Sequence, residues 1–420
     1  MATDVVDTDL TDAALYRDGF PHELFTELRR AGAVHRHRPA TNLIGENPTP
    51  FWSVVRHDAI QQANRDWETF SAVDGPGMAP SSPEQRGYTI VAMDPPDHTR
   101  TRRLVSAGFT PRMIGRLEEH IARRTELILD AVEAQAEERG GCDIVRDVAY
   151  PLPMHIIADI IGIPDADRAW VFERTDTMLR ALDPASGLSA ADRRGAEIDL
   201  FRYAQELGRA KREHPADDVW TTIIHAAIDD GAGASVSLSE LDVDMFFVIL
   251  AIAGSETTRN AISQGVLALS ERPDQLALLR DDPSLMASAT EELLRWSSPV
   301  LFFGRTTTRD VEIGGVQVAA GDRVVLWYPS GNRDEAAFAD PFRFDVRRDP
   351  NPHVSFGGGG PHFCLGASLA RKEVQVMTAA LLGRFDIEIA GPPAWSGSGP
   401  VHNVGVSLEH LAVRLVRRRH

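Results

Sequence analysis

Apolar residues recur every three to four positions over long stretches of this chain, and helix punctuation bounds those stretches. The pattern predicts helices over residues 111–139, 164–182, 190–212, 238–269, 283–296 and 367–382. Ser237, with Glu240 three residues on, has the reciprocal capping pattern and opens the longest of them; Pro273 would end it. Strand signals are few. Residues 51–55 read as one strand, and 311–318 as a hairpin folded at Gly314-Gly315. No repeat or low-complexity segment divides the chain. The most linker-like stretch, Gly231 to Ser235, is short and leads straight into a helix. The expectation is a mostly α domain with small β-sheets spanning 1–420, its first 20 or so residues loosely ordered.

Composition narrows the function. A hydrophobic fraction of 43% over 420 residues supplies a large core. The 44 basic against 61 acidic side chains leave a formal charge of −17, which repels nucleic acid and anionic membrane surfaces. The first dozen residues are acidic and lack a signal-peptide pattern, and the apolar run 245–253 is far shorter than the roughly 20 residues a membrane helix needs. No membrane anchor is expected. Two cysteines, Cys142 and Cys364, make no disulfide framework and suit a reducing cytoplasm. Cys142 reads as a core or turn residue.

Cys364 is different. Phe356 is followed by four glycines, Gly357 to Gly360, then Pro361, His362, Phe363, Cys364, Leu365 and Gly366, and a helical pattern begins at once. Glycine admits positive φ and lets backbone approach a flat partner. A helix starting just past the sulfur aims free N–H groups and the positive end of its dipole at it, which favours thiolate. Such a sulfur, with no second cysteine beside it, suits axial ligation of a haem iron.

This segment resembles the haem-binding loop of the cytochrome P450 family, with one extra glycine between Phe356 and Cys364, as in a subset of bacterial members. The resemblance covers about residues 50–415. It implies the mostly helical, prism-shaped P450 fold, haem b as cofactor and Cys364 as the iron's axial ligand, with Phe356 and Gly366 framing the loop. It also implies the rest of the site. His98 and Arg102, four apart on one helical face, match the haem-propionate pair; Arg305 and His362 match two further propionate ligands. Within Ala253-Gly254-Ser255-Glu256-Thr257-Thr258, an acid and a hydroxyl interrupt an apolar helix. Thr257 can bond back to the Ala253 carbonyl and widen a turn that Gly254 leaves compliant. Glu256 and Thr257 match the family's acid–alcohol pair, which delivers protons to activated dioxygen. Glu292 and Arg295 resemble the structural Glu-x-x-Arg motif, whose third member is expected at Arg343.

The implied activity is that of a monooxygenase inserting one atom of O2 into an apolar small molecule. Val248, Ile249, Ala253, Val300, Leu301 and Phe302 are the expected pocket lining, with contributions from 71–92, 178–188 and 403–406. The long glycine loop, Val325 to Tyr328 and Asn332 to Glu335 are similar to a branch acting on steroid side chains, methyl-branched lipids and terpenoids. Tailoring of a secondary metabolite by hydroxylation or epoxidation is the second expectation. No flavin or iron–sulfur motif is present, so a separate ferredoxin would supply electrons to a monomer. Arg103, Arg112, Arg116, Arg371 and Lys372 are candidates for its docking face. Glu256 and Thr257 argue against a peroxide-driven enzyme, and, with Cys364, against a non-catalytic haem- or ligand-binding protein.

Overall fold

The computed structural model describes residues 7–38, 49–109, 111–183, 186–229, 235–396 and 398–418, with the side chains of 111, 112, 114 and 401 left out. The linker-like stretch, apart from Ser235, and the side chain of Arg112 lie outside the described residues. Helices dominate. The longest, Glu240–Ser270, is the central helix, crossed by Pro151–Ile161, Ala190–Glu213, Met286–Ser297 and Ala367–Arg384. Its cap lies two residues later than the sequence suggested. Ser239 and Asp242 exchange the two capping bonds. Ser237 is held instead in a two-stranded ribbon, Ala227–Asp229 with Ser235–Ser237. The central helix ends at Ser270, and Pro273 opens the next helix, Pro273–Asp281.

The strands form several small sheets, the largest of five strands. Phe51–Val54 runs antiparallel to Val34–His37 and parallel to Arg323–Trp327. Arg323–Trp327 pairs in turn with Phe302–Thr307, and Phe70–Ser71 closes the five-stranded sheet. The hairpin of Val311–Ile313 and Val316–Val318 turns on Gly314 and Gly315, both at positive φ. Cys142 is a buried strand residue pairing with Val413.

The looseness expected of the N-terminus does not reach residue 10. Leu10 and Tyr16 are fully buried, the Tyr16 hydroxyl donates to the Leu10 carbonyl at 2.9 Å, and its ring stacks on Trp327. An acidic composition hid these two anchors. Gly254 also has a different use from the one expected. The central helix is α-helical without interruption, and a Cβ on Gly254 would stand 2.4 Å from Cδ1 of Ile157. The glycine lets two helices cross closely.

Candidate haem and substrate site

The glycine loop takes up a conformation few other residues tolerate: Gly357 to Gly360 all have positive φ. A Cβ on Gly360 would lie 2.0 Å from the Asn64 carbonyl oxygen. The loop closes when the Cys364 N–H donates to the Phe356 carbonyl at 3.0 Å. The Phe356 ring lies under the Arg371 guanidinium at 4.5 Å. Helix Ala367–Arg384 starts directly behind, with Gly366 as its cap. Burial pushes the pKa of the Cys364 thiol up, while the Gly366 N–H, Arg102 and Arg371 pull the other way. A coordinated metal would oppose that shift and favour the thiolate.

The loop is anchored by two adjacent acids. Glu292 and Arg295, both wholly buried, form a two-pronged ion pair at 2.7 Å per arm. The third member is not Arg343. Arg348 reaches Glu292 at 3.2 Å, whereas the Arg343 side chain is exposed and stands 3.8 Å from Asp345. Arg343 contributes only its carbonyl, which accepts from Arg295 and Arg348. The chain turns through Pro341 to Asp345, so its backbone rather than its side chains faces the pair. Asp345 N–H and Asn351 Nδ2 complete five donors around one carboxylate. Glu291 was not singled out from the sequence. It accepts from Arg371 at 2.6 Å and from His353 at 3.0 Å, tying the cysteine helix to the Glu-Arg helix. Burial raises its pKa, but these two partners outweigh that and hold it well below the usual carboxylate range.

The four basic residues expected around a haem converge. His98 on helix Asp97–Ser106 and His362 on the loop lie 4.2 Å apart between ring centroids, tilted by 44°. Burial and neighbouring guanidinium groups hold both imidazoles neutral, His98 with a pKa pushed down to about 4. Arg102 donates to the Pro361 carbonyl at 3.2 Å, and buried Arg305 to that of Gly304 at 2.8 Å. A hollow of about 660 Å³ opens beside His98, Arg102, Gly360 and Pro361. His98 Nδ1 and His362 Nε2 are buried without a hydrogen-bond partner among the described residues. Two guanidinium groups beside unpaired imidazole nitrogens fit a dianionic group such as the paired carboxylates of haem.

On the central helix, the Thr257 hydroxyl donates to the Ala253 carbonyl at 2.8 Å. Glu256 is buried and paired with Arg259, which also donates to Ser407 Oγ at 3.2 Å and stands 3.7 Å from Glu409. Burial pushes the Glu256 carboxyl up and Arg259 opposes it.

One turn earlier, a cavity of about 740 Å³ is lined by Val248, Ile249 and Ile252, by Met178, Leu179 and Leu182, and by Asn403 and Val404. Gln85 and Thr89 come from the 71–92 segment. Ala253, Val300, Leu301 and Phe302 are not among the lining residues. Leu301 and Phe302 instead face the N-terminal core, Phe302 lying 5.4 Å from the Trp327 ring. The alternation of strand Phe302–Thr307 turns that side chain inward. Sequence reasoning missed helix Ala190–Glu213 as a cavity wall, because its lining positions are mixed in polarity.

The cytochrome P450 family model matches residues 18–394. The chain is a cytochrome P450. A methyl-branched lipid omega-hydroxylase of Mycobacterium tuberculosis is 40% identical over 84% of this P450 and 82% of its own length. A steroid C26-monooxygenase of the same species is 37% identical over 94% of this chain and 90% of its own. The solved structure of a Mycobacterium marinum cytochrome P450 in complex with pseudoionone is 36% identical, covers 98% of this chain and 100% of its own, and matches with a TM-score of 0.87. This P450 is therefore a haem b monooxygenase that uses O2 on lipophilic substrates. No helix among the described residues is long and apolar enough to cross a membrane.

Proposed function

We propose that this P450 hydroxylates a methyl-branched lipid, steroid or terpenoid. The cavity beside the central helix carries the reading: its Val248, Ile249 and Ile252 wall suits branched aliphatic groups and offers them no polar partner. The substrates printed in the names of the two relatives support it. A screen of difference spectra should give type I shifts with branched lipids, steroids and terpenoids. Shifts confined to polar or aromatic compounds would overturn it.

Cys364 would hold the haem iron, and His98, Arg102, Arg305 and His362 its carboxylates. When bound, the haem supplies reductive activation of dioxygen. The rest falls to side chains. With its proton committed to Ala253, the Thr257 oxygen presents lone pairs that can hold a water. Glu256, whose carboxyl burial pushes up against the pull of Arg259, serves as the acid behind that water. Arg259 orients Glu256 and links it to Glu409, which is partly exposed and gives protons a way in from solvent. Thr257→Ala should keep haem and substrate binding yet divert reducing equivalents to hydrogen peroxide, lowering product formation by about 10²–10⁴. Full coupling of NADPH oxidation to product in that variant would exclude the role.

A ferredoxin is the proposed electron donor to a monomeric cytoplasmic enzyme. Three of its candidate docking residues already have partners: Arg116 with Asp217 at 2.7 Å, Lys372 with Glu118 at 3.3 Å, and Arg371 with Glu291. Arg371 belongs to the loop's own scaffold. Exposed Arg103, beside Arg102 on the same hollow, is the better test. Arg103→Glu with Lys372→Glu should slow first electron transfer and flatten its salt dependence while substrate affinity stays unchanged. At a Debye length of about 8 Å, only charges near the contact act. Transfer at the parent rate across a salt series would move the face elsewhere.

A further inference from the structure

The outer wall of the substrate cavity has a charge pattern that an apolar substrate does not explain. Helix Ala190–Glu213 contributes Arg193, Glu197, Phe201, Arg202 and Gln205 to the lining. Arg193 is satisfied by Glu197, four residues on, at 2.9 Å. Arg202 is exposed, and no ion pair or hydrogen bond holds it among the described residues. On a chain with a net charge of −17, that leaves a cation without an ion-pair partner on the mixed outer wall, facing the apolar wall of the central helix. His402, whose pKa burial, aided by Arg193, pushes down to about 4, cannot serve as a counter-cation at neutral pH. The apolar groups Met245, Val248, Ile249 and Ile252 line the central helix, spanning about 10 Å at 1.5 Å per residue.

We propose that the preferred substrate is a methyl-branched aliphatic carboxylate, bound with its branched end against Val248, Ile249 and Ile252 and its carboxylate on Arg202. The proposal rests on the branched-lipid reading above and adds the head group and its direction. A guanidinium is suited to this: it stays charged and offers paired donors to a carboxylate. Oriented this way, the substrate presents the carbons farthest from the carboxylate to the central helix.

Isopalmitic acid, its methyl ester and the corresponding alkane can be compared by calorimetry on the haem-loaded protein. The acid is expected to bind about tenfold tighter than the ester, as for one solvent-accessible charge-assisted hydrogen bond. Raising ionic strength should narrow that ratio. In Arg202→Gln the ratio should fall to about one with ester affinity unchanged, and Arg202→Lys should restore part of it. Equal binding of acid and ester in the parent protein overturns the carboxylate proposal while leaving the branched-chain reading in place. A preference that survives Arg202→Gln overturns the assignment to Arg202. Failure of acid, ester and alkane alike to bind overturns the branched-chain reading itself.

Discussion

Cys364→His should fold and still acquire haem from the four basic residues, yet lose the red-shifted Soret band of the ferrous carbonyl complex, and turnover with it. Thiolate donation sets both properties, and imidazole does not replace it. The local structure makes the loss specific to the sulfur. The loop is closed by the Cys364 backbone N–H on the Phe356 carbonyl, and Arg371 holds Phe356 and Glu291 independently of the thiol. A substitution at Cβ leaves those bonds in place. Far-UV circular dichroism separates a folded variant from a collapsed one. An unchanged ferrous carbonyl spectrum in the folded variant would reject Cys364 as the ligand. The same structure shows why the thiolate depends on its partner: with burial raising its pKa, the free thiol should titrate above the ordinary cysteine range, and alkylation of the haem-free protein near neutral pH should be slow.

The long helices were legible because their ends are chemically marked. Helix Pro111–Arg139 has the bounds the sequence predicts, and Ala190–Glu213 extends one residue further. The sheet was not legible. Arg323–Trp327 is buried at every position, so it shows no alternation, and its parallel partner Phe51–Val54 lies far away in sequence. Helix Pro151–Ile161 is apolar on nearly all sides and carries little periodicity. At the site, residues with a fixed spacing to a motif converge: His98, Arg102, Arg305 and His362 are close, and Glu256 and Thr257 share a turn of the central helix. Residues placed by the path of an irregular segment could not be assigned this way. Arg343 and Arg348 flank the same turn, and only the backbone course decides which guanidinium faces inward. Leu301 and Phe302 failed for the same reason, since a one-residue change of strand register moves a side chain to the opposite face.

Glu292 offers the sharpest stability test of that backbone course. Its carboxylate accepts from Arg295, Arg348, the Asp345 N–H and Asn351. Arg295 is wholly buried and also donates to the carbonyls of Asn332 and Pro341. Removing the acid leaves a buried guanidinium without its counter-charge, a change that costs about 3–5 kcal/mol. Glu292→Ala should therefore lower the guanidinium midpoint for loss of the Soret band sharply. It should also speed haem loss, because Asn332 and Ser355 relay the same anchor to the loop. Arg348→Ala should reproduce much of this, since its side chain is nearly buried against Glu292 and its donors also hold Ala339, Asp340 and Arg343. Arg343→Ala keeps the carbonyl that matters and removes only an exposed side chain, so its effect should stay within about 0.5 kcal/mol. If Arg343→Ala destabilised as strongly as Arg348→Ala, the turn from Pro341 to Asp345 would have to present side chains rather than backbone to the ion pair. The loop's anchor would then be built differently from the arrangement described.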